Sequence, residues 1–190
     1  MTDLSLRIDR LESQMAIQQL PIRYALAVDG RDVEGWAALF VPDVDCGKHG
    51  QGRAVLKALI TPALRTFYRS IHQICGHRIE FQDADHASGV VYCRAEHEDG
   101  DRWIVMAIAY LDSYERRDGE WYFTRRGERH WYAADWEERP KAPFTGWPTH
   151  PAPPTLPQDF DSWQPFWDQS DPPSALSRQP TGERPIDSGK

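Results

Sequence analysis

Two residues of this 190-residue chain have the types and positions needed for proton transfer. Asp29 closes the apolar run "YALAV" and precedes Gly30, a natural helix stop. It falls on a last helical turn, where the partial negative end of the helix dipole disfavours an anion. A carboxylate placed there needs a partner. The best one is His72, in "SIHQICGH" at the start of the strand-rich half. In a His–Asp pair the imidazole is a general base, while the carboxylate orients it and stabilises the imidazolium. The competing reading is a water-exposed helix-end acid and a strand histidine bonded to backbone.

Other constellations are weaker. His72, Cys75 and His77 form H-x-x-C-x-H, but residues 72 and 77 of a regular strand face opposite sides. A tetrahedral metal site there requires a bulge, so neither a metal nor a cofactor is expected. His77 reads as bonded to backbone or solvent; His86, His97 and His150 sit in polar contexts and read as exposed. "DGRD" and "DVDCG" match no calcium loop, and Gly47, Gly50 and Gly52 lack the lysine of a phosphate loop. The cluster from Arg125 to Arg129 is small enough to be a surface feature or a pocket wall.

The elements that carry the pair are set by hydrophobic spacing. Leu4, Ile8, Leu11 and Met15 predict an amphipathic first helix. Pro21 suits the first turn of a second helix, ending at Gly30. Asp32 is a good N-cap for a short third, "VEGWAALF", and "RAVLKALITPALRTFYRS" reads as a fourth, broken near Pro62. From residue 71 the pattern changes to strands, with Asp118-Gly119 as a hairpin turn. This order predicts an α+β cone: N-terminal helices packed in a strongly curved mixed or antiparallel sheet, with the end of the second helix facing the open mouth. In "RWIVMAIAYL" both alternating sets are apolar, which predicts cover on both faces, by the helices and by another subunit of a dimer or trimer.

After about residue 140 the composition shifts, with twelve of the fifteen prolines from there onward. Trp147, Phe160, Trp163, Phe166 and Trp167 make this stretch too aromatic for a solvated linker. Residues 1–137 therefore form one domain and 138–190 an extension. The extension is expected to pack along the domain or its neighbour to about residue 170, and its last residues to be disordered.

With 40% hydrophobic and 27% charged residues the chain reads as globular. A net charge of −7 argues against nucleic-acid binding. No apolar run is long enough for a bilayer span, and the N-terminal residues lack a secretory stretch, so no membrane partner and a cytoplasmic location are expected. Cys46, Cys75 and Cys93 are an odd set without paired spacing and read as reduced thiols.

"RYALAVDGRDVEGWAALF", "SIHQICGHRIEF" and "YLDSYERRDGEWYFTRRGERHWY" together resemble the SnoaL-like branch of the nuclear transport factor 2-like superfamily. The resemblance covers roughly residues 7 to 135. Within the superfamily the pattern is similar to scytalone dehydratase, bile-acid 7α-dehydratase and hexachlorocyclohexane dehydrochlorinase. It implies that Asp29 and His72 are the catalytic pair, that Tyr24 binds a substrate oxygen, and that Arg126 or His130 of the last strand assists. Tyr122, Arg126 and His130 share a face if alternation survives Gly127, a candidate bulge. Trp36, Tyr122 and Trp131 are candidate walls of an aromatic pocket. The implied activity is a cofactor-independent dehydratase-type elimination on a hydrophobic cyclic or aromatic small molecule. The alternatives are a C–C lyase releasing a small aldehyde from an aryl propanoid diol, an isomerase, and a ligand-binding or structural subunit.

Overall fold

The computed structural model describes residues 3–136 and 157–169. Helix α1 (Asp3–Asp29) is followed by α2 (Val33–Ala38), a 3-10 turn (Gly47–His49) and α3 (Arg53–Leu64). Four strands come next: β1 (Ser70–Phe81), β2 (His86–Asp99), β3 (Arg102–Arg117) and β4 (Glu120–Asp135). A short helix, α4 (Trp163–Asp168), belongs to the C-terminal extension.

One difference from the sequence reading lies at Pro21. The two helices expected around it are one continuous 27-residue helix. Proline lacks the N–H that would bond four residues back, and mid-helix this is costly. Here the ring is itself fully buried, on the same face as Ile17, Leu20 and Val28, so tertiary packing overrides the local preference. Asp32 caps α2 as its type predicts, with its side chain accepting from Gly35 N at 2.8 Å.

The strands form an open antiparallel sheet in the order β1-β2-β3-β4. Asp118 and Gly119 turn β3 into β4 with φ of 52° and 85°, the left-handed pair that a two-residue hairpin needs. The chain after α2 is pinned to β4: Val41 N donates to Phe123 O at 3.0 Å, and Phe123 N to Leu39 O at 2.9 Å.

Three register shifts mark bulges, leaving Cys75 of β1 and Thr124 and Trp131 of β4 as extra residues. Each bulge bends its strand and reverses the facing of the residues beyond it. Helices α1 and α2 cover the inner face, where Ile17, Trp36, Phe40, Tyr114 and Phe123 form the main core. A second cluster, Val91, Cys93, Ala95, Ile108 and Tyr110, lines the inner side of β2 and β3. The opposite face leaves Tyr92, Leu111 and Trp131 exposed. No helix of the described residues is long and apolar enough to cross a membrane.

Candidate active site

Asp29 is the last residue of α1 and His72 the third of β1, and the packing of α1 on β1 brings them together. His72 Nδ1 lies 2.7 Å from Asp29 Oδ1, and the backbone N–H of His72 donates to Oδ2 at 2.8 Å. Ser70 Oγ donates to Oδ1, also at 2.8 Å. A carboxylate only accepts, so the Nδ1–Asp29 contact assigns the proton to Nδ1 and leaves Nε2 as the basic nitrogen.

Two residues beyond the helix, Arg31 supplies the positive charge that a helix end carrying an acid lacks. It sits in a left-handed turn at φ 60° and is almost fully buried. Its guanidinium donates to Val28 O (2.6 Å), Ser70 Oγ (3.0 Å) and the carbonyls of Phe67 and Tyr68 (both 3.1 Å). Burial lowers its pKa to about 10, an effect that the nearby Asp29 charge opposes. Arg31 thus ties the helix end, the acid's hydroxyl partner and the lead into β1 into one unit.

His72 opens onto a cavity of about 350 Å³ between α1, α3 and the inner face of β2 and β3. Ile60, Leu64, Phe67, Ile104, Met106 and Ile108 make most of the wall apolar, and Tyr24, Tyr110, His97 and Glu128 supply polar groups. His97 stands edge-on to His72 at 5.5 Å and to Phe67 at 4.6 Å between ring centroids. Its Nδ1 is buried without a hydrogen-bond partner among the described residues. Burial, reinforced by His72, drives its pKa down to about 4, which keeps it neutral. Burial also raises the pKa of the Tyr24 phenol, against the pull of Arg126.

A profile of the SnoaL-like domain matches residues 9–127. The chain belongs to that family, within the nuclear transport factor 2-like superfamily. A gamma-hexachlorocyclohexane dehydrochlorinase of Sphingobium indicum is 32% identical over 126 residues, 63% of this chain and 81% of the relative. The crystal structure of a type 3 hexachlorocyclohexane dehydrochlorinase from Novosphingobium barchaimii superposes with a TM-score of 0.62 at 27% identity, covering 69% of this chain and 94% of the other. A scytalone dehydratase-like structure from Novosphingobium aromaticivorans gives 0.60 at 24% identity, over 70% and 93% of the chains, a likeness of fold. The homologous dehydrochlorinases are lyases.

Within this SnoaL-like domain the other expected site residues are dispersed. Tyr24 lines the cavity. Arg126 stands behind it, buried between the rings of Tyr110 (3.9 Å) and Tyr24 (4.2 Å), with its Nε 3.5 Å from Asp112 Oδ1. The bulge at Thr124, not Gly127, resets the alternation. Arg126, Glu128 and His130 fall in phase on the inner face, and Tyr122 does not. His130 is half exposed, bonded to Glu128 and outside the cavity lining. Trp36 is core, packed between Tyr24 and Phe40. Tyr122 lies against Arg53, and Trp131, the bulged residue, is 71% exposed beside Tyr92 on the outer face. None of these three aromatics lines the cavity.

His97 and Glu128 are cavity residues that the sequence reading missed. The signal for His97 was present: it is two residues past Ala95 and four past Cys93, in phase with the inner face. The bulge at Cys75 does bring His72 and His77 onto one face. Nevertheless, no group of three His, Cys, Asp or Glu among the described residues is placed to hold a metal ion. His77 instead meets Tyr114 OH at 3.0 Å, and Tyr114 donates to Asp112 at 2.9 Å. All three cysteines are free thiols. His150 lies outside the described residues.

Proposed function

We propose that this protein is a cofactor-independent lyase that eliminates water, or a comparable leaving group, from a hydrophobic cyclic or aromatic small molecule. The observation that carries this is the His72 Nδ1–Asp29 Oδ1 contact of 2.7 Å at the wall of a mostly apolar cavity of about 350 Å³. A structural subunit would have that space filled by side chains. The kinship with dehydrochlorinases supports the same reaction class.

In the reaction His72 Nε2 takes the proton from an acidic carbon of the substrate. The C–H electron pair becomes the new C=C bond, and the leaving group departs from the adjacent carbon with its own pair. Asp29, with both oxygens already accepting hydrogen bonds, orients the imidazole and stabilises the imidazolium without taking the proton. Tyr24, whose burial keeps its phenol protonated, donates to a substrate oxygen or to the departing hydroxyl. Arg126 acts from behind the two tyrosine rings, favouring negative charge that develops on that side. The mostly apolar wall lowers the local dielectric, which strengthens each of these interactions.

The test is product analysis on a panel of cyclic β-hydroxyketones, hydroxylated bicyclic phenols and chlorinated cyclohexanes. The expected result is an unsaturated product from at least one member, with solvent deuterium appearing at the acidic carbon of recovered substrate if proton removal is reversible. Tight binding of panel members with no turnover would favour a carrier.

A further inference from the structure

Helix α1 is apolar on two opposite sides. Ile17, Leu20 and Val28 point into the core. Leu4, Ile8, Leu11, Met15 and Ile22 point away from it and are 42–67% exposed. At 100° per residue these five fall within a stripe about 60° wide, diametrically opposite the buried face. The side facing the body is already occupied: Arg116 binds Asp9 at 2.7 Å, and Arg10 lies 3.9 Å over the Phe81 ring. A stripe of this kind on a water-facing helix is costly unless something covers it.

The spacing says what fits. The intervals 4, 8, 11, 15, 18, 22 are those of a coiled-coil seam, with Ile8, Met15 and Ile22 at a positions and Leu4, Leu11 and Gln18 at d positions. Isoleucine at two of the three a positions, with leucine at two of the three d positions, favours a parallel two-stranded pair. Exposed Arg7 and Glu12 take the g position and the e position of the next heptad, where opposite charges meet across such a pair. Gln18 is the one polar residue of the seam. Three heptads are short for an isolated coiled coil, but α1 is already held helical by its inner face, so association carries no nucleation cost.

We propose that α1 pairs in parallel with α1 of a second copy of this chain, through the seam from Leu4 to Ile22. The pairing leaves the cavity wall untouched, because Tyr24 and Val28, which α1 contributes to it, lie on the opposite side of the helix from the seam.

The experiment is sedimentation velocity on the full chain and on Leu11→Glu, with circular dichroism to confirm that the variant is folded. Leu11 is 61% exposed, so the substitution leaves the core untouched. The wild-type particle is expected to have twice the mass of the Leu11→Glu particle. Leu11→Cys is expected to give a covalent dimer under mild oxidation, above any background from exposed Cys75, because residue 11 faces its own copy only in a parallel pair. Equal masses for wild type and Leu11→Glu would overturn the proposal. So would loss of association in Trp131→Glu alone, which places the contact on the sheet. A mass ratio of three, or binding of wild-type monomer to anionic lipid vesicles, would overturn it too.

Discussion

The guanidinium of Arg31 lies 5.1 Å from the centre of the Trp163 ring, which places the C-terminal extension directly over the charge that reaches Asp29 through Ser70. Ser162 Oγ donates to Gly30 O at 2.7 Å, and Arg65 holds the end of α4 through the carbonyls of Phe166 and Gln169. Among the described residues of the extension, 157–169, none lines the cavity. These described residues reach the site through Arg31 and the backbone of Gly30.

Trp163→Ala should therefore cost about 3–5 kcal/mol of stability, the range for a large buried aromatic. Urea denaturation followed by circular dichroism measures it. A loss below about 1 kcal/mol would mean that the ring is not packed on Arg31 in solution.

Arg31→Lys retains the charge but loses the planar fork that reaches four acceptors at once. Expected is a stability loss of about 2–3 kcal/mol. The elimination rate should fall by roughly tenfold or more, because a loosened Asp29 misplaces the imidazole. The same denaturation experiment and an initial-rate assay read the two effects separately.

The pH dependence has a defined sign. Burial lowers the pKa of both His97 and His77 to about 4 in the folded protein, against about 6.5 when unfolded. Between those values the unfolded chain binds more protons at these two sites, so the histidines' contribution is complete above about pH 6.5 and is lost as pH falls toward 4. Asp112, whose raised folded pKa acts in the opposite sense, offsets this in part. His97 accounts for at most about 3 kcal/mol of the decline. Scanning calorimetry from pH 4 to 8 should show the midpoint falling with acid, and His97→Gln should flatten that slope. An unchanged slope would show that His97 is hydrated in the folded state.

Arg126→Met should destabilise in a pH-dependent way. Burial already raises the Asp112 carboxyl to about 6, with Arg126 opposing the rise. Without the guanidinium the folded pKa moves higher still. Because the folded value exceeds the unfolded one, the penalty is absent below about pH 4 and grows as pH rises through the folded pKa. The expected loss is about 3–5 kcal/mol at pH 8, the scale of breaking a buried ion pair. It should be smaller at pH 5, and chemical denaturation at the two values decides.

Much of this site is legible in the residues alone. Asp29 stands out because Gly30 ends its helix, and His72 because it opens the strands. Their contact needs the tertiary fold, which the family pattern supplies. Pro21 misleads because its local preference is outweighed by burial of its own ring. The errors on the last strand share one cause. The bulges at Thr124 and Trp131 leave no clear mark in composition, yet each reverses the facing of the residues after it. That is why Trp131 is outside and Glu128 inside. His97 is hidden by its charged neighbours Glu96 and Glu98, which turn to the other side of the strand.

The most direct measurement is the elimination rate of His72→Gln, Asp29→Asn and the double variant on one substrate from the panel. Two residues acting as one base give strongly non-additive losses. His72→Gln should lower the rate by roughly 10²–10⁴-fold, with the double variant little worse than His72→Gln alone. A His72→Gln enzyme within about tenfold of wild type, or losses that simply multiply, would contradict the role of the pair.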